Sequence, residues 1–142
     1  MAFPSPIGTI TGNGGGAGAL AANTTASDLV AVGKNALTAN TTGANNVAVG
    51  TGALDACTTG NHLVGIGYQA LSAVTTGQFS IGIGKDAGLS VTTGNSNTLI
   101  GYHAGDAVTT GANNTLMGTS TGGGLTTGAQ NVAKAETLNC GT

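Results

Sequence analysis

A Thr-Thr pair begins at Thr24, Thr41, Thr58, Thr75, Thr92, Thr109 and Thr126, each start 17 residues after the last, with no insertion or deletion. Glycine follows the pair at 43, 60, 77, 94, 111 and 128, and Ala26 takes its place in the first copy. A second glycine falls seven residues further on, at Gly33, Gly50, Gly67, Gly84, Gly101 and Gly118. A period this strict excludes a conventional globule with a mixed core. Each unit is too short to bury an apolar face alone, so stability must come from stacking unit on unit.

Numbering the unit from the Thr-Thr pair locates its strand. Position seven is Val30, Val47, Val64, Ile81, Thr98 and Thr115; position nine is Val32, Val49, Ile66, Ile83, Ile100 and Met117. They flank position eight with period two, which predicts a short strand over positions six to nine. The glycines at position ten end it, as turn glycines needing φ > 0 or room for the backbone. Ala recurs at position thirteen, and position fourteen is Leu37, Leu54 and Leu71, then Gly88, Gly105 and Gly122. A second short strand is expected from there to the next Thr-Thr pair. Glycine and β-branched residues are too dense for helix. The fold class expected is all-β, a parallel β-solenoid (β-roll) of 17-residue coils in which like residues stack on like, including an asparagine column at 46, 97 and 114.

Positions seven and nine, namely Val30, Val32, Val47, Val49, Val64, Ile66, Ile81, Ile83, Ile100 and Met117, are the expected coil core. Position eight should then face water, yet it is Ala31, Ala48, Gly65, Gly82, Leu99 and Leu116. A strand apolar on both faces is covered on both faces. These six residues are therefore the expected subunit contact, and the expected assembly is a homotrimer.

Composition narrows the function. Charged residues are 6% of the 142, against roughly 25% in ordinary domains, and net charge is −2 with no basic run. Nucleic acid is thus not an expected partner. Aromatics are 3% and Trp is absent, so the core must be thin and aliphatic. No apolar run approaches the ~20 residues of a membrane span, and the N-terminus lacks the basic and apolar regions of a secretory signal. Cys57 and Cys140 lie about five rungs apart, too far for a bridge within the chain. His62 and His103 occupy different repeat positions, and Asp28, Asp55, Asp86, Asp106 and Glu136 are scattered, so neither a metal site nor a calcium β-roll is expected. No triad or paired carboxylate recurs, and no catalytic or cofactor-binding residue is assigned. Adjacent threonines point to opposite faces, which leaves one outward threonine column and argues against ice binding. Lys34, Lys85, Lys134, Tyr68, Gln69 and Tyr102 read as a sparse solvated rim, with contact to a host glycan as the alternative.

Three segments are expected: a glycine-rich arm and half rung over 1–23, the solenoid over 24–128, and a cap or tail over 129–142. The arm, with its early prolines at 4 and 6, is the expected anchor to a neighbouring protein.

The segments LVAVG from Leu29, NVAVG from Asn46, HLVGIG from His62, FSIGIG from Phe79 and NTLIG from Asn97 resemble the NSVAIG-type repeat of YadA-type trimeric autotransporter adhesin heads. That resemblance implies a trimer of parallel β-rolls. The longer unit NTTGxNNVAVGxxAL is similar to repeats of bacteriophage tail-fibre and virion proteins. The similarity spans about residues 19–128. With no leader, coiled-coil stalk or membrane barrel in the sequence, the expectation is a non-enzymatic virion component: a capsid decoration or cement protein, or a short tail fibre or spike, held to capsid or tail proteins by the arm. The alternatives are a host-surface adhesin module and a self-polymerising extracellular filament subunit.

Overall fold

A computed structural model describes residues 12–135. They form one parallel sheet of eight strands in sequence order: β1 (Gly12–Gly15), β2 (Leu29–Val32), β3 (Val47–Val49), β4 (Val64–Ile66), β5 (Ile81–Ile83), β6 (Thr98–Ile100), β7 (Thr115–Met117) and β8 (Val132–Lys134). Partners in adjacent strands are always one repeat apart, as in Val30↔Val47, Val47↔Val64 and Thr115↔Val132. The expected β-solenoid is thus present, one strand per coil. The coils run 24–40, 41–57, 58–74, 75–91, 92–108 and 109–125.

The register extends further than the sequence pattern suggested. Gly12 pairs with Leu29, which places residues 12–23 in a coil of their own within the expected arm. At the other end β8 adds a strand within the expected cap. The extended arm over 1–7 and the residues beyond 135, Cys140 and Glu136 among them, lie outside the described residues.

The second strand is not formed. After the strand each coil returns through tight turns, closed by bonds such as Ala36 N–H to Gly33 O and Asn40 N–H to Leu37 O. Backbone hydrogen bonds still join coil to coil there, from Leu37 N–H to Ala53 O and from Ala39 N–H to Asp55 O. Turns suit this segment because position fourteen is left-handed, with φ 51–53° at Leu37, Leu54 and Leu71. The turn glycines at position ten behave as expected: Gly33, Gly50, Gly67, Gly84, Gly101 and Gly118 have φ between 119° and 135°. A Cβ on Gly33 would also lie 2.6 Å from the Gly50 carbonyl carbon, so only glycine allows the coils to close up here.

The inside and outside of the strand are the reverse of the expectation. Ala31, Ala48, Gly65, Gly82, Leu99 and Leu116 point into their own coil and are at most 1% exposed where a side chain is present. They do not form a subunit contact. Val30, Val32, Val47, Val49, Val64, Ile66, Ile81, Ile83, Ile100 and Met117 point outward and are half-buried or exposed; they are not the coil core. The reason is volume. Position eight of each coil faces position fourteen of the preceding one, and the space between them holds one leucine. The pairs are Leu20/Ala31, Leu37/Ala48, Leu54/Gly65 and Leu71/Gly82, then Gly88/Leu99 and Gly105/Leu116. A Cβ on Gly82 would lie 2.7 Å from Leu71 Cγ, and one on Gly88 would lie 2.7 Å from Leu99 Cδ1. The leucine changes sides between β5 and β6, and at the crossover Gly88 lies between Leu71 and Leu99, a Cβ there being 2.6 Å from Leu71 Cδ2. A valine and an isoleucine on every strand would overfill so narrow a lumen.

Buried polar groups tie the stack together. Asn97 Nδ2 donates to Gly111 O (2.9 Å) and Asn97 Oδ1 accepts from Asn114 N–H (3.0 Å); Asn114 repeats both bonds to Gly128 O and Asn131 N–H. Asn46 does the same for Gly60 O and Leu63 N–H. In six of the seven pairs, Thr24 to Thr109, the first threonine donates its hydroxyl to the carbonyl of its counterpart in the next coil, as from Thr41 Oγ1 to Thr58 O (3.1 Å), while the second is exposed.

Gly82→Leu is expected to lower stability by about 1–3 kcal/mol through overpacking against Leu71. The double variant Leu71→Gly/Gly82→Leu copies the arrangement of Gly88 and Leu99, and should be more stable than Gly82→Leu alone. Urea unfolding of the three proteins checks this, and strict additivity would count against the one-leucine rule.

Candidate interaction surface

With position eight inside, the strands turn two apolar columns to the outside. Val32 is 48% exposed, Ile81 36%, Met117 47% and Val132 84%. Position nine is apolar from β2 to β7, five rung intervals or roughly 24 Å at the parallel-strand spacing, and position seven is apolar from β2 to β5, with Thr98 and Thr115 in β6 and β7. Alternation along each strand fixes the arrangement: what is small enough to enter the coil leaves β-branched neighbours outside. Position five, just before the strand, and position eleven, just after it, are exposed in all six coils and flank the apolar columns.

Those flanks carry Phe79, Tyr68 and Tyr102, all the aromatic residues among those described. On one flank His62 and Phe79 stack at 5.1 Å with an interplanar angle of 6°. On the other, Lys85 Nζ sits between the rings of Tyr68 (5.8 Å) and Tyr102 (5.2 Å). Lys85 also donates to Asp86 Oδ2 at 2.7 Å, and this hydrogen bond raises the ammonium above its ordinary pKa.

His103 has acidic neighbours, which the scattered repeat positions did not suggest. Its Nε2 lies 3.3 Å from Asp86 Oδ2 and its Nδ1 2.8 Å from Asp106 Oδ2. Asp86 occupies position twelve, as His103 does, one coil earlier, and Asp106 follows three residues later. The signal was present in the sequence as two residues 17 apart. Asp86 Oδ1 is buried without a hydrogen-bond partner. The cluster joins two coils. Among the described residues no group of three His, Cys, Asp or Glu side chains is placed to hold a metal ion. His62 lies away from it, on the opposite flank, with Phe79.

Asp55 is held above the usual carboxylate range by burial, against the pull of backbone N–H groups at Asp55 and Ala56. Cys57 is a buried free thiol in the space that Val74, Val91 and Val108 fill in later coils. Among the described residues no helix is long and apolar enough to cross a membrane. No protein-family model, curated protein or solved structure matches the chain.

Burial pushes the Cys57 thiol from 9.0 up to about 11, against a weaker opposing bond to Gly60 O. The folded chain therefore holds this proton more tightly than the unfolded chain. That contribution to stability is complete below pH 9.0 and is lost as pH rises toward 11. Over this window the wild type should lose on the order of 2 kcal/mol more than Cys57→Val. Urea midpoints of both proteins at the two pH values give the difference, since lysine and tyrosine titration is common to them.

Proposed function

We propose that the chain is a non-enzymatic structural protein of a bacteriophage particle, working as a homotrimer that decorates and stabilises the capsid or forms a short tail fibre or spike. The observation that carries this reading is the outward face of β2–β8. Two columns of mostly Val, Ile and Met, interrupted at position seven by Thr98 and Thr115 and closed at position nine by Lys134, on a charge-poor chain are a surface that loses free energy in water and regains it against another apolar surface. Three such faces turned to a common axis cover one another, which moves the subunit contact from position eight to positions seven and nine. The repeat's likeness to virion and adhesin-head repeats supports the trimer and the particle. The mechanism is mechanical: stacked coils resist unfolding locally, and the trimer removes the apolar face from solvent.

A host-surface adhesin is the second reading, supported by the exposed Tyr68 and Tyr102 beside Lys85. It requires binding of the isolated oligomer to a cell-surface glycan, with loss of binding on Tyr68→Ala or Tyr102→Ala.

Sedimentation of the wild type should give a trimer, and electron microscopy should show discrete knobs; long fibres would favour the filament alternative, and detection in purified particles tests the virion assignment. Ile83→Asp should dissociate the trimer and leave the β-sheet circular dichroism signal in place. Leu99→Asp, inside the coil, should instead abolish the folded signal. A wild-type monomer would remove the trimer from the reading.

A further inference from the structure

The apolar columns that would hold the copies together cannot by themselves align them. Over the first four coils positions seven and nine are nearly the same, Val or Ile at every level, and position seven changes only to Thr98 and Thr115 further on. Sliding one copy past another by one coil, about 4.8 Å, exchanges one aliphatic contact for an equivalent one. Register has to come from residues that do not repeat. On the exposed face those are at positions five and eleven, where the residues change from coil to coil.

A rotation axis parallel to the coil stack, with the strand faces turned toward it, brings the position-five edge of one copy beside the position-eleven edge of the next, at equal height. The residues that meet are complementary in the first four of the six coils. In the first coil Asp28 meets Lys34, opposite charges. In the second Asn45 meets Thr51, small and polar on both sides. In the third His62 meets Tyr68, and in the fourth Phe79 meets Lys85, a ring against a cation. A slip of one coil breaks the Asp28–Lys34 pairing and sets His62 against Lys85. Within one chain the ion pairs among the described residues join only Lys85, Asp86, His103 and Asp106, so Asp28 and Lys34 do not pair with each other there. The stacked His62–Phe79 pair and the Tyr68–Lys85–Tyr102 sandwich each span consecutive coils, which gives the two edges ordered surfaces at matching heights.

We propose that copies of this chain zip together coil for coil, the position-five column of one against the position-eleven column of the next, and that this seam sets the axial register of the assembly. The inference rests on the trimer proposed above. It takes Tyr68 and Tyr102 out of solvent, and so competes with glycan contact by those rings.

Disulfide trapping in the full chain carrying Cys140→Ser tests it. Asn45→Cys/Thr51→Cys places cysteines on the two edges of the same coil, and Asn45→Cys/Tyr68→Cys offsets them by one coil. After mild oxidation the first pair should give a covalently closed trimer on a denaturing gel, and the offset pair should remain largely monomeric. Sedimentation of the unoxidised samples separates the two proposals. A trimer that fails to cross-link at 45/51, or that links through the offset pair, overturns the seam and leaves the trimer standing. A monomer overturns both. As a second measurement, Asp28→Lys and Lys34→Glu should each raise the dissociation constant about tenfold, and the double variant, which restores opposite charges across the seam, should recover most of that loss; no recovery overturns the Asp28–Lys34 contact.

Discussion

Positions eight and fourteen between them leave room for one leucine, and most of the architecture follows from that limit. With so little volume inside, Ala and Gly at positions eight and thirteen are requirements of fit. The leucine enters from the turn side as Leu37, Leu54 and Leu71, or from the strand side as Leu99 and Leu116, never both at one level. The bulkier β-branched residues of the strand are left outside. A core this thin contributes few kcal/mol per coil, so the coil-to-coil backbone hydrogen bonds along all sides of the stack carry a larger share of cohesion than in an ordinary domain. Those bonds need identical coil lengths, and the absence of any insertion over the repeats is the sequence counterpart of that need.

Small lumens leave backbone groups that strand pairing does not reach, and the asparagine column satisfies them. Asn46, Asn97 and Asn114 are completely buried, and each serves one carbonyl and one N–H of the following coil. Where position six is Leu29 and has no donor to give, Asn40 supplies it from position seventeen, donating to Gly43 O at 2.9 Å. The Oδ1 of Asn40 then stays buried without a partner. Polar residues in this interior are part of the stacking interaction, and apolar replacements would leave the same backbone groups unsatisfied.

The coil length, the parallel stacking, the strand over positions six to nine, the glycine turns and the asparagine and threonine columns were all legible in the sequence, because each is a matter of spacing. The sidedness of the strand was not read correctly, because period-two alternation separates two faces without saying which is inside. Larger aliphatics at positions seven and nine suggested the core by hydrophobicity alone. The deciding signal was a covariation within the repeats: position fourteen changes from Leu71 to Gly88 just as position eight changes from Gly82 to Leu99. Two positions that trade one side chain share one space, so position eight is interior. The return segment was misread because three leucines suggested a strand, whereas they adopt left-handed φ in a turn. The His103–Asp86–Asp106 cluster was hidden by treating repeat positions singly, without joining position twelve of one coil to position twelve of the next.

The same volume rule accounts for the decline of the stack at its C-terminal side. Position fourteen of the last coil is Gly122, and its partner at position eight is Ala133, so this level alone contains no leucine from either source. Leu116 occupies the space beside Gly122, where a Cβ would lie 2.5 Å from its Cδ1, and the next leucine, Leu125, packs only partly buried against the core from position seventeen. On the outside, Lys134 takes the place of Val or Ile at position nine in β8. A charge at the end of an apolar column makes continued lateral packing unfavourable there, as charged residues do on exposed sheet edges. Loss of the inner leucine and gain of the outer charge fall on the same strand, β8.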